Sequence, residues 1–94
     1  MIVVRNVFVA KPGSASKLAA QFKDAIAAAG IPRARVLTDM TGDFNTVVLE
    51  YDADDLQQFE AMMRRYETDQ TFRDKMKGYT ELYQTGARQI LRVA

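Results

Sequence analysis

Runs of β-branched and aromatic residues alternate along the chain with runs in which apolar positions recur every three or four residues, and single Gly or Pro residues separate them. Ile2 to Ala10 is nearly continuous Ile, Val and Phe until Lys11-Pro12-Gly13, which predicts a first strand. Ala15, Leu18, Ala19, Phe22, Ala25, Ile26 and Ala29 then mark a helix, with Ser14 placed as N-cap and Gly30 as the stop before Pro32. Arg33 to Met40 and Phe44 to Tyr51 are short apolar runs joined through Thr41-Gly42-Asp43, a hairpin of strands two and three. Asp52 is the expected N-cap of a second helix, with Asp54 and Asp55 at its positive end and Leu56, Phe59, Met62, Met63 and Tyr66 as its apolar stripe. Asp69 offers another cap, so this helix is expected to break near Thr68 and resume, with Gly78 interrupting a segment that runs on through Leu82 and Tyr83. Thr85-Gly86 releases Ala87 to Val93 as a last strand.

The order is βαββαβ. With right-handed crossovers it gives an α+β, ferredoxin-like subunit: a four-stranded antiparallel sheet with the helices on one face, in a single domain over 1–94. The other face should then be polar at every second residue, yet Val3, Val7 and Val9 have one parity in strand one while Ile2, Val4 and Phe8 have the other. Strand three repeats this, with Val47, Leu49 and Tyr51 on one parity and Val48 on the other. Something must cover the second face, and a second copy is the simplest cover, so the expected partner is the chain itself, as a homodimer through the sheet face.

Composition narrows the chemistry. The 94 residues contain no His, no Cys and no Trp, which removes imidazole bases, thiol nucleophiles and the usual metal ligands. Lys and Arg number 13 against 12 Asp and Glu, so no strong field draws the chain to nucleic acid or to an anionic membrane. Thr46-Val47-Val48-Leu49-Glu50 lacks the aromatic and basic residues with which an RNA-binding sheet of this topology stacks bases, and Lys11-Pro12-Gly13-Ser14 lacks the Arg of an acylphosphatase phosphate loop. No apolar run approaches the roughly 20 residues of a membrane span, and Met1-Ile2-Val3-Val4-Arg5 lacks a secretory signal's basic start; the expected location is the cytoplasm. Asp52, Asp54 and Asp55 lack the later Gly and Glu of a calcium loop, so helix capping explains them and neither metal nor cofactor is expected.

Three groups remain as candidates. Asn6 is an amide inside an apolar strand, either bonded structurally or orienting a substrate carbonyl or bound oxygen. Tyr51, Tyr66, Tyr79 and Tyr83, with Phe59, Met62 and Met63, either pack as ordinary core or line an apolar ligand pocket. Glu50 needs a compensating cation if buried, with Arg33, Arg35, Arg88 and Arg92 as candidates, in an ion pair at the dimer contact or in an anion-binding pocket.

The strand ending Val7-Phe8-Val9-Ala10-Lys11-Pro12-Gly13, the strand Val47-Val48-Leu49-Glu50-Tyr51-Asp52 leading to a helix, and the closing Gly86-Ala87-Arg88-Gln89-Ile90-Leu91-Arg92-Val93 together resemble the dimeric α/β-barrel superfamily. Within it the chain is similar to the antibiotic-biosynthesis-monooxygenase-like and NIPSNAP-like groups. Cofactor-independent monooxygenases of this kind place an Asn seven residues before the turn Gly, as Asn6 stands to Gly13. Their customary Trp and His have no counterpart here, so only the Asn carries over. The resemblance implies a pocket between sheet and helices, with Asn6 as catalytic candidate and Phe22, Tyr51, Phe59, Met63, Tyr66 and Tyr83 as ligand-binding candidates. It also implies a cofactor-free monooxygenase- or isomerase-type enzyme acting on a small apolar or aromatic compound. The alternative is a non-catalytic ligand-binding or assembly module.

Overall fold

The computed structural model describes all residues, Met1–Ala94. β1 (Ile2–Ala10), β2 (Ala34–Thr38), β3 (Thr46–Ala53) and β4 (Tyr83–Arg92) form one sheet in the order β2-β3-β1-β4, every neighbouring pair antiparallel. α1 (Ala15–Ala29) connects β1 to β2; α2 (Leu56–Thr68), α3 (Gln70–Lys75) and a short 3-10 turn at Tyr79–Glu81 connect β3 to β4. This is the expected ferredoxin-like arrangement.

β1 and α1 have the expected bounds. Gly30 adopts φ 65° and ends α1 as a left-handed cap, a conformation that costs a residue with a Cβ more than glycine. Ser14 precedes the helix, but its side chain makes no capping bond.

Other boundaries differ from expectation. Both hairpin strands shift, β2 to Ala34–Thr38 and β3 to Thr46–Ala53. Asp52 is therefore a strand residue paired with Val3, and the cap of α2 is Asp55, whose Oδ1 accepts from Gln58 N–H at 2.8 Å. Gln58 completes a reciprocal cap by accepting from the Asp54 N–H. The break after Thr68 lies where expected: the Thr68 hydroxyl donates to the Arg64 and Arg65 carbonyls, and Asp69 caps α3 through Phe72 N–H at 2.8 Å. Tyr83 opens β4 rather than closing a helix, and Gly86 lies inside that strand. A Cβ on Gly86 would stand 3.1 Å from Cδ1 of Phe8, so this glycine serves ring packing and not chain release.

Register assigns the two faces. Val4, Asn6, Phe8 and Ala10 of β1 stand beside Val47, Leu49, Tyr51 and Ala53 of β3 on the helix side. Val4, Ala10, Val47 and Ala53 there are almost fully buried, together with Leu18 and Phe22 of α1. Val3, Arg5, Val7 and Val9 face the other way with Val48, Glu50, Asp52, Leu37 and Leu91. No element of the chain covers that second face.

Candidate functional site

Between the helix side of the sheet and α2 lies a cavity of about 270 Å³. Its floor is Asn6, Phe8, Leu49, Tyr51 and Arg88 from β1, β3 and β4. Phe22 from α1 and Met62, Met63, Tyr66 and Glu67 from α2 form its walls, and Ile31, Phe72, Met76 and Tyr79 complete them. Its volume is just below the roughly 300 Å³ at which small-molecule sites begin, and eleven of its fourteen lining residues are hydrophobic.

The cavity exists because α2 does not lie flat on the sheet. Tyr66 is the only buried residue of α2, whereas α1 buries Leu18, Ala19, Phe22 and Ala25. α3 turns instead toward α1, where the Gln21 side-chain amide donates to the Lys75 and Lys77 carbonyls at 2.9 Å each. The broken helix thus closes the α1 end of the layer and leaves room over Asn6. Met62 and Met63 border that room with flexible, polarisable side chains.

Asn6 faces the helices. Its Oδ1 accepts from Nε of Arg88 at 2.8 Å, a pairing fixed by the direct cross-strand register of the two residues, and its Nδ2 makes no hydrogen bond within the chain. Arg88 stacks its guanidinium over the Phe59 ring, 5.4 Å from the centroid, and forms no ion pair. The Tyr51 hydroxyl has only a long contact to Sδ of Met63, 3.9 Å. Burial pushes the Tyr51 hydroxyl above its ordinary pKa, opposed by the Arg88 charge. The Tyr79 hydroxyl is also pushed up, first by burial and then by neighbouring Tyr83, again against Arg88. Both phenols are therefore neutral donors near neutral pH. No group of three or more Asp, Glu, His or Cys side chains is arranged to hold a metal.

Of the expected pocket residues, Asn6, Phe22, Tyr51, Met63 and Tyr66 come together in the wall. Phe59 and Tyr83 do not line it: the Phe59 ring lies against the Arg88 guanidinium, and Tyr83 packs its ring 4.9 Å from Phe8. Arg88 itself, expected as a partner for Glu50, belongs to the cavity. Its signal in the sequence is parity, since it shares a face with Gly86 and Ile90, but only the pairing of β4 with β1 shows that this is Asn6's face.

Glu50 lies on the uncovered face and is only 4% exposed. Arg5 donates to Oε1 from Nε at 2.9 Å and Nη2 at 2.7 Å, and Arg35 donates to Oε2 from Nε at 2.6 Å. Burial works to raise the Glu50 pKa, but the hydrogen bonds and charges of Arg5 and Arg35 outweigh it and hold the carboxyl below its usual value. Of the four expected cations only Arg35 reaches it; Arg5 takes the place of the others.

No protein-family model matches the chain, and no curated protein sequence is detectably similar to it. Solved structures do match its fold. An uncharacterised NIPSNAP domain protein from Burkholderia xenovorans superposes with a TM-score of 0.84 at 18% identity, covering 100% of this chain and 95% of that one. A NIPSNAP family protein from Agrobacterium tumefaciens strain C58 gives 0.85 at 14% identity, over 99% of this chain and 92% of that one. A structure described as an antibiotic biosynthesis monooxygenase gives 0.72 at 12% identity, over 100% and 99% of the two chains. The chain therefore has the ferredoxin-like fold of NIPSNAP domain proteins and of an antibiotic biosynthesis monooxygenase.

Proposed function

We propose that the chain binds a small aromatic compound in the cavity over Asn6 and acts on it without a cofactor, in the manner of a monooxygenase or isomerase. The observation that carries this is the state of Asn6: a strand amide whose Oδ1 is engaged and whose Nδ2 has no partner, in the wall of an apolar cavity. That Nδ2 is open to solvent on the cavity side of the sheet and is free to donate to a ligand. Free Nδ2 donors and neutral Tyr hydroxyls suit a substrate oxygen that gains negative charge, the electrostatic requirement shared by enolisation and by substrate-driven oxygenation.

The working unit in this proposal is a homodimer. The uncovered face carries Val3, Val7, Val9, Val48, Leu37 and Leu91, and its charged residues Arg5, Arg35, Glu50 and Asp52 sum to zero. A neutral, largely apolar face suits the same face of a second copy across a two-fold axis. No helix is long and apolar enough to cross a membrane.

Titration with 2-naphthol, followed by backbone amide NMR, tests the cavity. Shifts are expected at Asn6, Met62 to Tyr66 and Tyr79, and Asn6→Leu should abolish them. Unchanged spectra would select the alternative, an assembly module whose cavity takes no ligand.

A further inference from the structure

Arg88 is an exposed, unpaired cation in the floor of an apolar cavity, and two groups hold its guanidinium. Asn6 holds Nε from the side, at 2.8 Å. The Phe59 ring of α2 lies against the guanidinium, its centroid 5.4 Å from Cζ. The Arg88 charge also acts on both cavity phenols, Tyr51 and Tyr79. An arginine that merely solubilised an edge strand would need none of this positioning.

The use of Nε decides what the guanidinium can still grip. A carboxylate binds an arginine either side-on, through Nε and one Nη, or end-on, through both Nη groups. Asn6 has taken Nε, which leaves the end-on pair. The one carboxylate that lines the cavity, Glu67, makes no ion pair with Arg88. The cavity lining thus carries one cation and one anion that do not pair with each other.

We propose that the ligand of this cavity carries a carboxylate on its aromatic body, held end-on by Arg88, with Asn6 as the positioning residue that aims the guanidinium. The proposal rests on the cavity being a ligand site and specifies the ligand's class. The carboxylate at Arg88 fixes the ring over the sheet, within reach of the free Nδ2 donors of Asn6, and places the far end of the molecule among Met62, Met63 and Tyr66.

The test compares 2-naphthoate with the neutral 2-naphthylmethanol by fluorescence or NMR titration of the full chain. The wild type should bind the acid at least about tenfold more tightly, the effect of one charge-assisted hydrogen bond. Arg88→Gln should equalise the two affinities, whereas Arg64→Gln, which removes the same charge from an exposed site on α2 outside the cavity, should preserve the difference. Asn6→Asp keeps an acceptor beside Nε but neutralises Arg88 by pairing with it, so the affinities for acid and alcohol should converge in this variant as they do in Arg88→Gln. Equal wild-type affinities for acid and alcohol would overturn the carboxylate while leaving an aromatic pocket standing. Failure of both compounds to bind would overturn the pocket and the carboxylate with it.

Discussion

Under α1 the helix layer is closed, and under α2 it is open. Leu18 and Phe22 show no solvent exposure and pack against Val47, Ala10 and Leu49 of the sheet. α2 buries Tyr66 alone, and the space that a second closed layer would fill is the cavity over Asn6. Both helices are amphipathic and of similar length, 15 and 13 residues, so neither length nor patterning sets them apart. What differs is the side chains. α1 presents Leu, Phe and small Ala residues that let the helix approach the sheet, whereas α2 presents Phe59, Met62, Met63 and Tyr66, whose bulk holds it off. The α1 half packs closed against the sheet, and the α2 half leaves a cavity over it.

The sharpest way to break this comparison is to truncate one residue in each half. Leu18→Ala should destabilise the protein by about 2 to 5 kcal/mol, because the surroundings of a fully packed leucine cannot collapse into the space it leaves. Met63→Ala removes a side chain that already borders a cavity, and should cost less than about 2 kcal/mol. Equal losses in urea melts would mean that the two halves are packed alike.

A second comparison sets the helix-covered face against the open one. Glu50 is the buried charge of the open face, and Glu50→Gln leaves Arg5 and Arg35 adjacent with no carboxylate between them. The expected loss is about 1 to 3 kcal/mol, below the full cost of breaking a buried pair, because the two arginine side chains are 37% and 67% exposed and keep contact with water. The pH dependence follows from the lowered folded-state pKa. Glu50 contributes its full stabilisation above the unfolded carboxyl value, about 4.3, and loses it as pH falls through the lower folded value. Urea melts from neutral to acid pH should therefore show a decline that Glu50→Gln flattens.

Asp55→Ala should cost about 0.5 to 2 kcal/mol, since it removes the acceptor for Gln58 N–H, and Asp52→Ala should leave the helix cap untouched. The pair shows what the sequence could and could not reveal. With Asp at 52, 54 and 55, composition alone favours no one cap; the pairing of Ile2 with Ala53 extends β3 past Asp52 and decides the matter. β1 and α1 were legible to the residue because each ends on residues that force an end, Lys11-Pro12-Gly13 and Gly30. From sequence β4 comes out too short because Thr85-Gly86 has the composition of a break, while the use of Gly86, packing against the Phe8 ring, depends on a strand far away in sequence. The same limit governed the site. The parity of Asn6 with Val4 and Phe8 was readable within one strand, but the partners of Asn6 and Glu50, Arg88 and Arg5, are set by cross-strand register.

The smallest expected change in stability tests the α2 half most directly. Asn6→Leu removes an amide from the middle of the sheet, and in a closed layer such a change would strand the polar groups it had satisfied and cost about 1 to 3 kcal/mol. Here the only group released is Arg88 Nε, on an exposed side chain that water reaches, and the added apolar surface faces an apolar cavity. Stability should therefore stay within about 0.5 kcal/mol of the wild type or rise, as happens where a residue is kept for binding at the expense of packing. Binding of 2-naphthol should be lost in the same variant. A clear drop in the urea midpoint with 2-naphthol binding retained would place Asn6 among the residues that hold the fold, and would make the open half of the helix layer a packing defect instead of a site.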